Sequence, residues 1–105
     1  MYHGPADKQA MMITFRLPAD WPAALLEVIP EQRAQVHKLL AEGVIQSYSV
    51  SADRQTVWMV VVVDDQEGSV DELLADFPIM RFARVRWQPL LFTSDSSSVM
   101  HYSLN

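Results

Sequence analysis

The apolar run "VWMVVVV" at residues 57–63 constrains the fold of this chain more than any other segment. Its valines favour an extended strand, because β-branched side chains fit well on a pleated sheet. Successive side chains of a strand point to opposite faces, so both faces of this strand are apolar. Such a strand is typical of the centre of a sheet that is covered on both sides. A chain of 105 residues is one domain. The fold must therefore account for what covers each of the two faces of this strand.

The residues before this run predict a β-hairpin. Two strand-forming segments meet near Asp53 and Arg54. Pairing Ala52 with Gln55 across the turn sets the register of the two strands. That register puts two sets of side chains on opposite faces, namely Tyr48, Val50, Val57, Met59 and Val61 on one, and Ser47, Ser49, Trp58 and Val60 on the other.

Two further strands are predicted at residues 11–17 and 81–90, because polarity alternates along both segments. In the first strand the two faces carry Met11, Ile13, Phe15 and Leu17 against Met12, Thr14 and Arg16. In the last strand they carry Ala83, Val85 and Trp87 against Arg84, Arg86 and Gln88.

Helical patterns fill the two remaining segments. Pro30 divides the first into a short leading helix and a main helix, which ends at Gly43. The second helix begins with a capping box formed by Ser69 and Glu72, and Pro78 marks its end.

The order β-α-β-β-α-β predicts a ferredoxin-like α+β domain, with a four-stranded antiparallel sheet and both helices on one face. This domain spans residues 11–92. Residues 1–10 are predicted to be a polar N-terminal extension. Residues 93–105 are predicted to be a flexible linker and C-terminal tail, whose end is a candidate strand contacting a neighbour.

The sheet face without helices is too apolar for a solvated surface and too polar for a core. It carries Thr14, Arg16, Ser47, Ser49, Trp58, Val60, Val62, Arg84 and Arg86. A second copy packing sheet to sheet would cover this face and close a barrel around a partly polar cavity. The sequence therefore predicts a homodimer or a larger homo-oligomer.

The segment "LLADFPIMRFARVRWQPL" at residues 73–90 resembles the C-terminal strand region of muconolactone isomerase and its relatives. The residues that carry the resemblance are Phe77-Pro78-Ile79, Phe82 and Gln88-Pro89-Leu90. Together with the main helix and the hairpin, the similarity extends over about residues 11–92. It implies a dimeric α+β barrel with the ligand site inside, partly closed by a neighbour's C-terminal tail. It also implies isomerisation of a small lactone that bears a carboxylate.

The predicted ligand-binding residues lie on the face without helices. Arg16, Arg84 and Arg86 are candidates for an anion clamp, because a guanidinium group offers a carboxylate two donors in one plane. Trp58 and Tyr48 are candidates for an aromatic wall, with Trp58 on the cavity face. Ser47 and Ser49 share that face and are candidate ligand contacts. In the alternative interpretation, the arginines and Trp58 only form the interface between two copies.

Isomerisation of a lactone requires a proton to be moved, and histidine titrates near neutral pH. His37 and His101 are therefore the candidate catalytic residues. For His37 the alternative is a plain surface role on the helix. His101 lies in the tail, where it qualifies if the tail folds over a neighbour's barrel.

Composition argues against several other classes of function. A net charge of −5 disfavours binding to nucleic acid or to an anionic membrane. The chain has no cysteine, no metal-ligand spacing and no glycine-rich phosphate loop. We therefore expect no metal and no cofactor. The expected protein is cytoplasmic, with a small anionic molecule as its partner. It is either an isomerase or a non-catalytic homo-oligomeric barrel.

Overall fold

The apolar run forms a central strand of the sheet. The computed structural model describes residues 8–91. Its elements are β1 (Lys8–Arg16), α1 (Ala23–Ala41), β2 (Ile45–Val50), β3 (Thr56–Asp64), α2 (Ser69–Leu74), a 3₁₀ turn (Pro78–Arg81) and β4 (Arg84–Pro89). The strands are all antiparallel and lie in the order β2-β3-β1-β4. This topology confirms the predicted ferredoxin-like α+β fold.

Strand β1 begins at Lys8, so pairing reaches three residues into the segment predicted as a polar extension. The rest of that extension lies outside the described residues. The predicted linker and tail at residues 93–105 also lie outside them, and so does His101.

The core lies between the sheet and the helices. Strands β1 and β3 contribute Ile13, Phe15, Met59 and Val61, all fully buried. From above the sheet, α1, α2 and the 3₁₀ turn contribute Leu25, Val36, Leu39, Val70, Leu74 and Ile79. The rings of Phe15 and Phe77 stack with centroids 6.3 Å apart, which ties β1 to the segment after α2.

Helix α1 is continuous through Pro30, so the predicted division into two helices is wrong. A proline inside a helix leaves the carbonyl four residues earlier without its partner. Here that carbonyl belongs to Leu26, an exposed residue, so water can solvate it. The predicted end at Gly43 is confirmed: its φ of 78° is left-handed. The N–H groups of Gly43 and Val44 donate to the carbonyls of Leu40 and Leu39, which makes a Schellman motif.

Helix α2 is shorter than predicted and begins differently. Gly68, with a left-handed φ of 87°, is the N-cap, and no side chain caps the helix. Ser69 is already the first helical residue, so the predicted capping box with Glu72 does not form. After Leu74 the chain leaves the helix and enters the 3₁₀ turn at Pro78.

The hairpin register is confirmed, because Tyr48 pairs with Met59 and Val50 with Val57. The connecting loop is longer than a two-residue turn and runs over residues 51–55. Arg54 adopts a left-handed φ of 64° in this loop, which a two-residue prediction does not anticipate.

The loop is held together by polar contacts around Asp53. The Asp53 carboxylate accepts hydrogen bonds from Ser51 Oγ at 2.6 Å and from the backbone N–H of Gln55 at 3.0 Å. These bonds stabilise the charged carboxylate and lower the pKa of Asp53 below its ordinary value of 3.8.

Within residues 8–91 no three His, Cys, Asp or Glu side chains gather into a group that could hold a metal ion. In the same range no helix is long and apolar enough to cross a membrane.

Candidate functional site

The predicted arginines and Trp58 share the sheet face that the helices leave uncovered. Arg16 on β1 lies directly opposite Arg84 on β4, and Thr14 lies opposite Arg86. Thr14 also lies opposite Trp58 on β3. Strand pairing therefore places these side chains in two adjacent cross-strand rows: Thr56, Arg16 and Arg84 in one, and Ser49, Trp58, Thr14 and Arg86 in the other.

The guanidinium groups on this face are exposed and carry no ion pair within residues 8–91, where the pair of Lys8 with Asp64 is the one salt bridge. Directly opposite residues of antiparallel strands have Cβ atoms about 5 Å apart, so Arg16 and Arg84 repel each other. Nη1 of Arg16 donates to Oγ1 of Thr56 at 2.7 Å, which directs that guanidinium toward β3. The Asp53 carboxylate in the β2–β3 loop attracts Arg16 without forming an ion pair with it. The face thus presents a net positive charge.

Apolar side chains surround this charge. Trp58 lies near the middle of the face and is 42% exposed, which is unusual for so large an apolar residue on a central strand. Ser47 lies in the next row, opposite Val60. The six predicted ligand-binding residues, Arg16, Ser47, Ser49, Trp58, Arg84 and Arg86, therefore do share one face.

A second candidate site lies on the other side of the sheet. There the space between α1 and the β2–β3 hairpin forms a groove of about 600 Å³, which we call the α1 groove. Its walls are mostly apolar and include Leu17, Ile29, Val36, Leu40, Val50, Val57 and Ile79. A volume of this size falls in the range that small-molecule pockets occupy.

Gln32 lies at the buried end of the α1 groove, with only 3% of its surface exposed. Its Oε1 accepts a hydrogen bond from the backbone N–H of Ile79 at 3.3 Å. Because an N–H must meet an oxygen, this bond fixes the orientation of the amide. Nε2 of Gln32 then has no hydrogen bond of ordinary length among the described residues, but it lies close enough to the Tyr48 hydroxyl to lower the pKa of that group. An unpaired buried donor is uncommon in a folded protein.

Tyr48 lines the groove beside Gln32. Burial raises the pKa of the Tyr48 hydroxyl above its ordinary value of 10.0, and the neighbouring Gln32 amide offsets part of that increase. The hydroxyl therefore stays protonated at neutral pH. It can donate or accept one hydrogen bond inside the groove.

Basic side chains line the open end of the α1 groove. Arg33, His37 and Arg54 are exposed and line it, and none of the described lining residues carries a carboxylate. Trp21 holds Arg54 in place through two contacts. Its Nε1 donates to the Arg54 carbonyl at 2.9 Å, and the Arg54 guanidinium carbon lies 5.8 Å from the indole centroid.

The structure places His37, one of the two predicted catalytic histidines, on the opposite side of the sheet from the predicted anion clamp. His37 lines the α1 groove, so the sheet lies between it and Arg84 and Arg86 of the same chain.

Sequence reasoning missed Gln32, although a signal was present. Gln32 occupies the buried stripe of α1, seven residues after Leu25 and four before Val36. A polar residue at such a position is a candidate functional group.

Comparison with known proteins adds one finding. A family model described as muconolactone delta-isomerase matches residues 10–94. That range contains every described element apart from the first two residues of β1. The match confirms the resemblance that residues 73–90 carry in the sequence. No curated protein matches the chain.

Proposed function

We propose, from the premise that this chain belongs to the muconolactone delta-isomerase family, that it binds a small carboxylate-bearing molecule and isomerises it by proton transfer. The observation that carries the proposal is the pair of cross-strand rows that bring Arg16, Arg84, Arg86 and Trp58 onto one uncovered face. Guanidinium groups can bind the carboxylate of an organic acid, and the adjacent aromatic side chain can contact the apolar part of the same molecule.

The arrangement suits a carboxylate in two ways. Arg84 and Arg86 lie two residues apart on one strand, so their Cα atoms are separated by about 7 Å on the same side of the sheet. A carboxylate between them can accept from both guanidinium groups, and it also relieves the repulsion between Arg84 and Arg16. The indole of Trp58 then offers a flat surface to the apolar part of the ligand.

A second copy of the chain completes the proposed site. The uncovered sheet face that carries Arg16, Arg84, Arg86 and Trp58 is called the arginine face below. Packing sheet to sheet encloses it in a barrel, as the family resemblance implies. Removing water from that space strengthens the attraction between guanidinium and carboxylate, because the effective dielectric constant falls. The proposal therefore includes a homodimer or a larger homo-oligomer in the cytoplasm.

The proton-transfer group of the proposed site is His101, supplied by the C-terminal tail of a neighbouring copy. Histidine changes its charge near neutral pH and so can take and return a proton during isomerisation. His37 is the alternative, but it can act only on a ligand that occupies the α1 groove.

The test is the double substitution Arg84→Met and Arg86→Met, with binding of muconolactone and of benzoate measured by calorimetry. The matched control is Arg81→Met, which removes an exposed arginine of the 3₁₀ turn that belongs neither to the two cross-strand rows nor to the lining of the α1 groove. We expect the double variant to lose acid binding and isomerisation at least tenfold while it keeps its sedimentation coefficient. The control should behave as the parent protein does.

The second candidate function is a non-catalytic homo-oligomer in which the arginine face is only interface. The exposed fraction of Trp58 favours it equally, since large aromatic residues are common in interfaces. In that case the double variant sediments as a smaller species and the parent protein binds no acid. Either of those two results contradicts the isomerase proposal.

A further inference from the structure

We propose that the outer edge of β2 is a docking surface for the same edge of a second copy of this chain. The two β2 strands pair antiparallel about a twofold axis at Ser49, so that the two sheets become one continuous sheet. This contact is separate from the arginine face and does not depend on the function proposed for that face.

The outer edge of β2 presents backbone groups with which no strand within residues 8–91 pairs. β2 is the first strand in the sheet order, and β3 is its one neighbour there. The Ser51 N–H donates to the Thr56 carbonyl at 2.9 Å, and hydrogen-bonded pairs alternate along an antiparallel ladder. The N–H and C=O groups of Tyr48 and Val50 therefore point outward, where they can pair with another strand.

The two edges of the sheet differ in the features that prevent strand pairing. Edge strands commonly carry charges or proline, which block pairing with another chain. β4 carries Arg84, Arg86 and Pro89, and pairing two β4 strands about their middle would place Arg86 beside its own copy. The sequence of β2, IQSYSV, contains no charge and no proline. A register shift near the start of β2 leaves residues 47–50 as the regular part that can pair.

The side chains of this regular part are self-complementary in the proposed register. Tyr48 lies opposite Val50 of the second copy, and the twofold symmetry makes this contact occur twice. An aromatic side chain opposite a β-branched one stabilises an antiparallel pair. Val50 is 48% exposed and Leu40, which lines the α1 groove with it, is 42% exposed, so the contact removes apolar surface from water. On the other face Ser49 lies opposite Ser49 of the second copy, so no like charges meet.

Opposite charges meet at the two ends of the paired strands. Glu42 is exposed just before β2, and Arg54 is exposed in the loop after it. Within one chain the 6 residues of β2 hold these two about 20 Å apart, whereas antiparallel pairing brings Arg54 of one copy toward Glu42 of the other. The neighbouring Asp53 carboxylate accepts hydrogen bonds from Ser51 and Gln55 of its own loop, so its charge is directed away from this contact.

The test uses single cysteines, because the chain has none of its own. In the proposed register Ser49 faces its own copy in a pair without backbone hydrogen bonds, where Cα atoms lie about 4.5 Å apart and a disulfide can form. Ser47→Cys is the matched control on the same strand and face, because the two copies of residue 47 lie about 13 Å apart along the strands. The full chain is oxidised with the copper complex of phenanthroline, and the disulfide-linked dimer is quantified on non-reducing gels.

We expect Ser49→Cys to form the linked dimer about tenfold faster than Ser47→Cys. Adding Arg54→Glu or Glu42→Arg to Ser49→Cys should slow the linkage about tenfold, since each reversal creates two repulsive contacts per dimer. Combining the two reversals brings opposite charges together again and should restore the rate. Sedimentation velocity of the same charge variants, without the cysteine, should rank their association in the same order.

Arg84→Met combined with Arg86→Met separates this inference from the proposed function. In the Ser49→Cys background this double change should leave the linkage rate unchanged, whatever it does to acid binding on the arginine face. A lost linkage would assign the contact to the arginine face and overturn the inference. The inference is also overturned if Ser47→Cys links as fast as Ser49→Cys, if neither links, or if the combined charge reversal does not restore the rate.

Discussion

Arg16 and Arg84 lie directly opposite each other on the neighbouring strands β1 and β4. Like charges in this position destabilise a sheet, because their Cβ atoms are only about 5 Å apart. The hydrogen bond from Arg16 to Thr56 relieves part of the repulsion by drawing one guanidinium toward β3. The pair is therefore unfavourable for folding and favourable for holding an anion, which is the balance expected of a binding surface.

Arg84→Glu should raise the free energy of unfolding while it abolishes acid binding. The substitution replaces the repulsive pair with Arg16 by an attractive one, worth about 0.5 kcal/mol at low salt. Urea unfolding at low and high salt measures the effect, which screening should remove. Arg86→Glu is the matched control, because Arg86 lies opposite Thr14 and not opposite a charge. An equal gain in both variants would contradict this explanation.

The sheet could be predicted from the sequence because its information is local and redundant. Period-two alternation in the first and last strands indicates which residues point toward the helices and which point to the other face. The two-sided apolar run fixed the centre of the sheet. The observed pairs, such as Ile13 with Met59 and Thr14 with Arg86, follow from those patterns. The shared face of the arginines could be predicted for the same reason.

The helix boundaries could not be predicted equally well, because they depend on how exposed particular backbone groups are. Pro30 remains inside α1 since the carbonyl it leaves unpaired belongs to exposed Leu26.

The α1 groove was missed for another reason. Its polar groups, Gln32 and Tyr48, belong to segments that only tertiary packing brings together. No spacing in the sequence relates them.

Arg54 is the one non-glycine residue with a positive φ among residues 8–91. A left-handed conformation costs an L-residue about 1 kcal/mol, which glycine avoids. Both Arg54→Gly and Arg54→Ala lose the contact with the Trp21 ring, so their difference isolates the backbone contribution. We expect the glycine variant to have the higher free energy of unfolding in urea titrations, by about 0.5–1 kcal/mol. Equal stability of the two variants would show that the loop relaxes to another conformation.

Gly43 should be intolerant of a side chain for conformational reasons alone. A Cβ at this position would meet no atom within 4 Å, so steric overlap is excluded as a cause. The φ of 78° that ends α1 is nonetheless strained for alanine. Gly43→Ala should lower the free energy of unfolding by about 1 kcal/mol in chemical denaturation. Gly43→Asn should lower it less, since asparagine tolerates this region. If asparagine is the worse of the two, the cause lies elsewhere.

Tyr48 should make the protein less stable at alkaline pH. Burial raises its folded-state pKa above 10.0, so the folded chain holds the phenolic proton more tightly than the unfolded chain does. The stability that this difference contributes is fully present below pH 10 and is lost as the pH rises through the folded pKa. Unfolding free energy measured on both sides of pH 10 should therefore fall more steeply in the parent protein than in Tyr48→Phe.

Gln32→Met provides the second comparison. It removes the amide that partly offsets the effect of burial, so tyrosinate absorbance should report a still higher pKa for Tyr48. A lower pKa in Gln32→Met would mean that the amide favours the neutral phenol, contrary to this account.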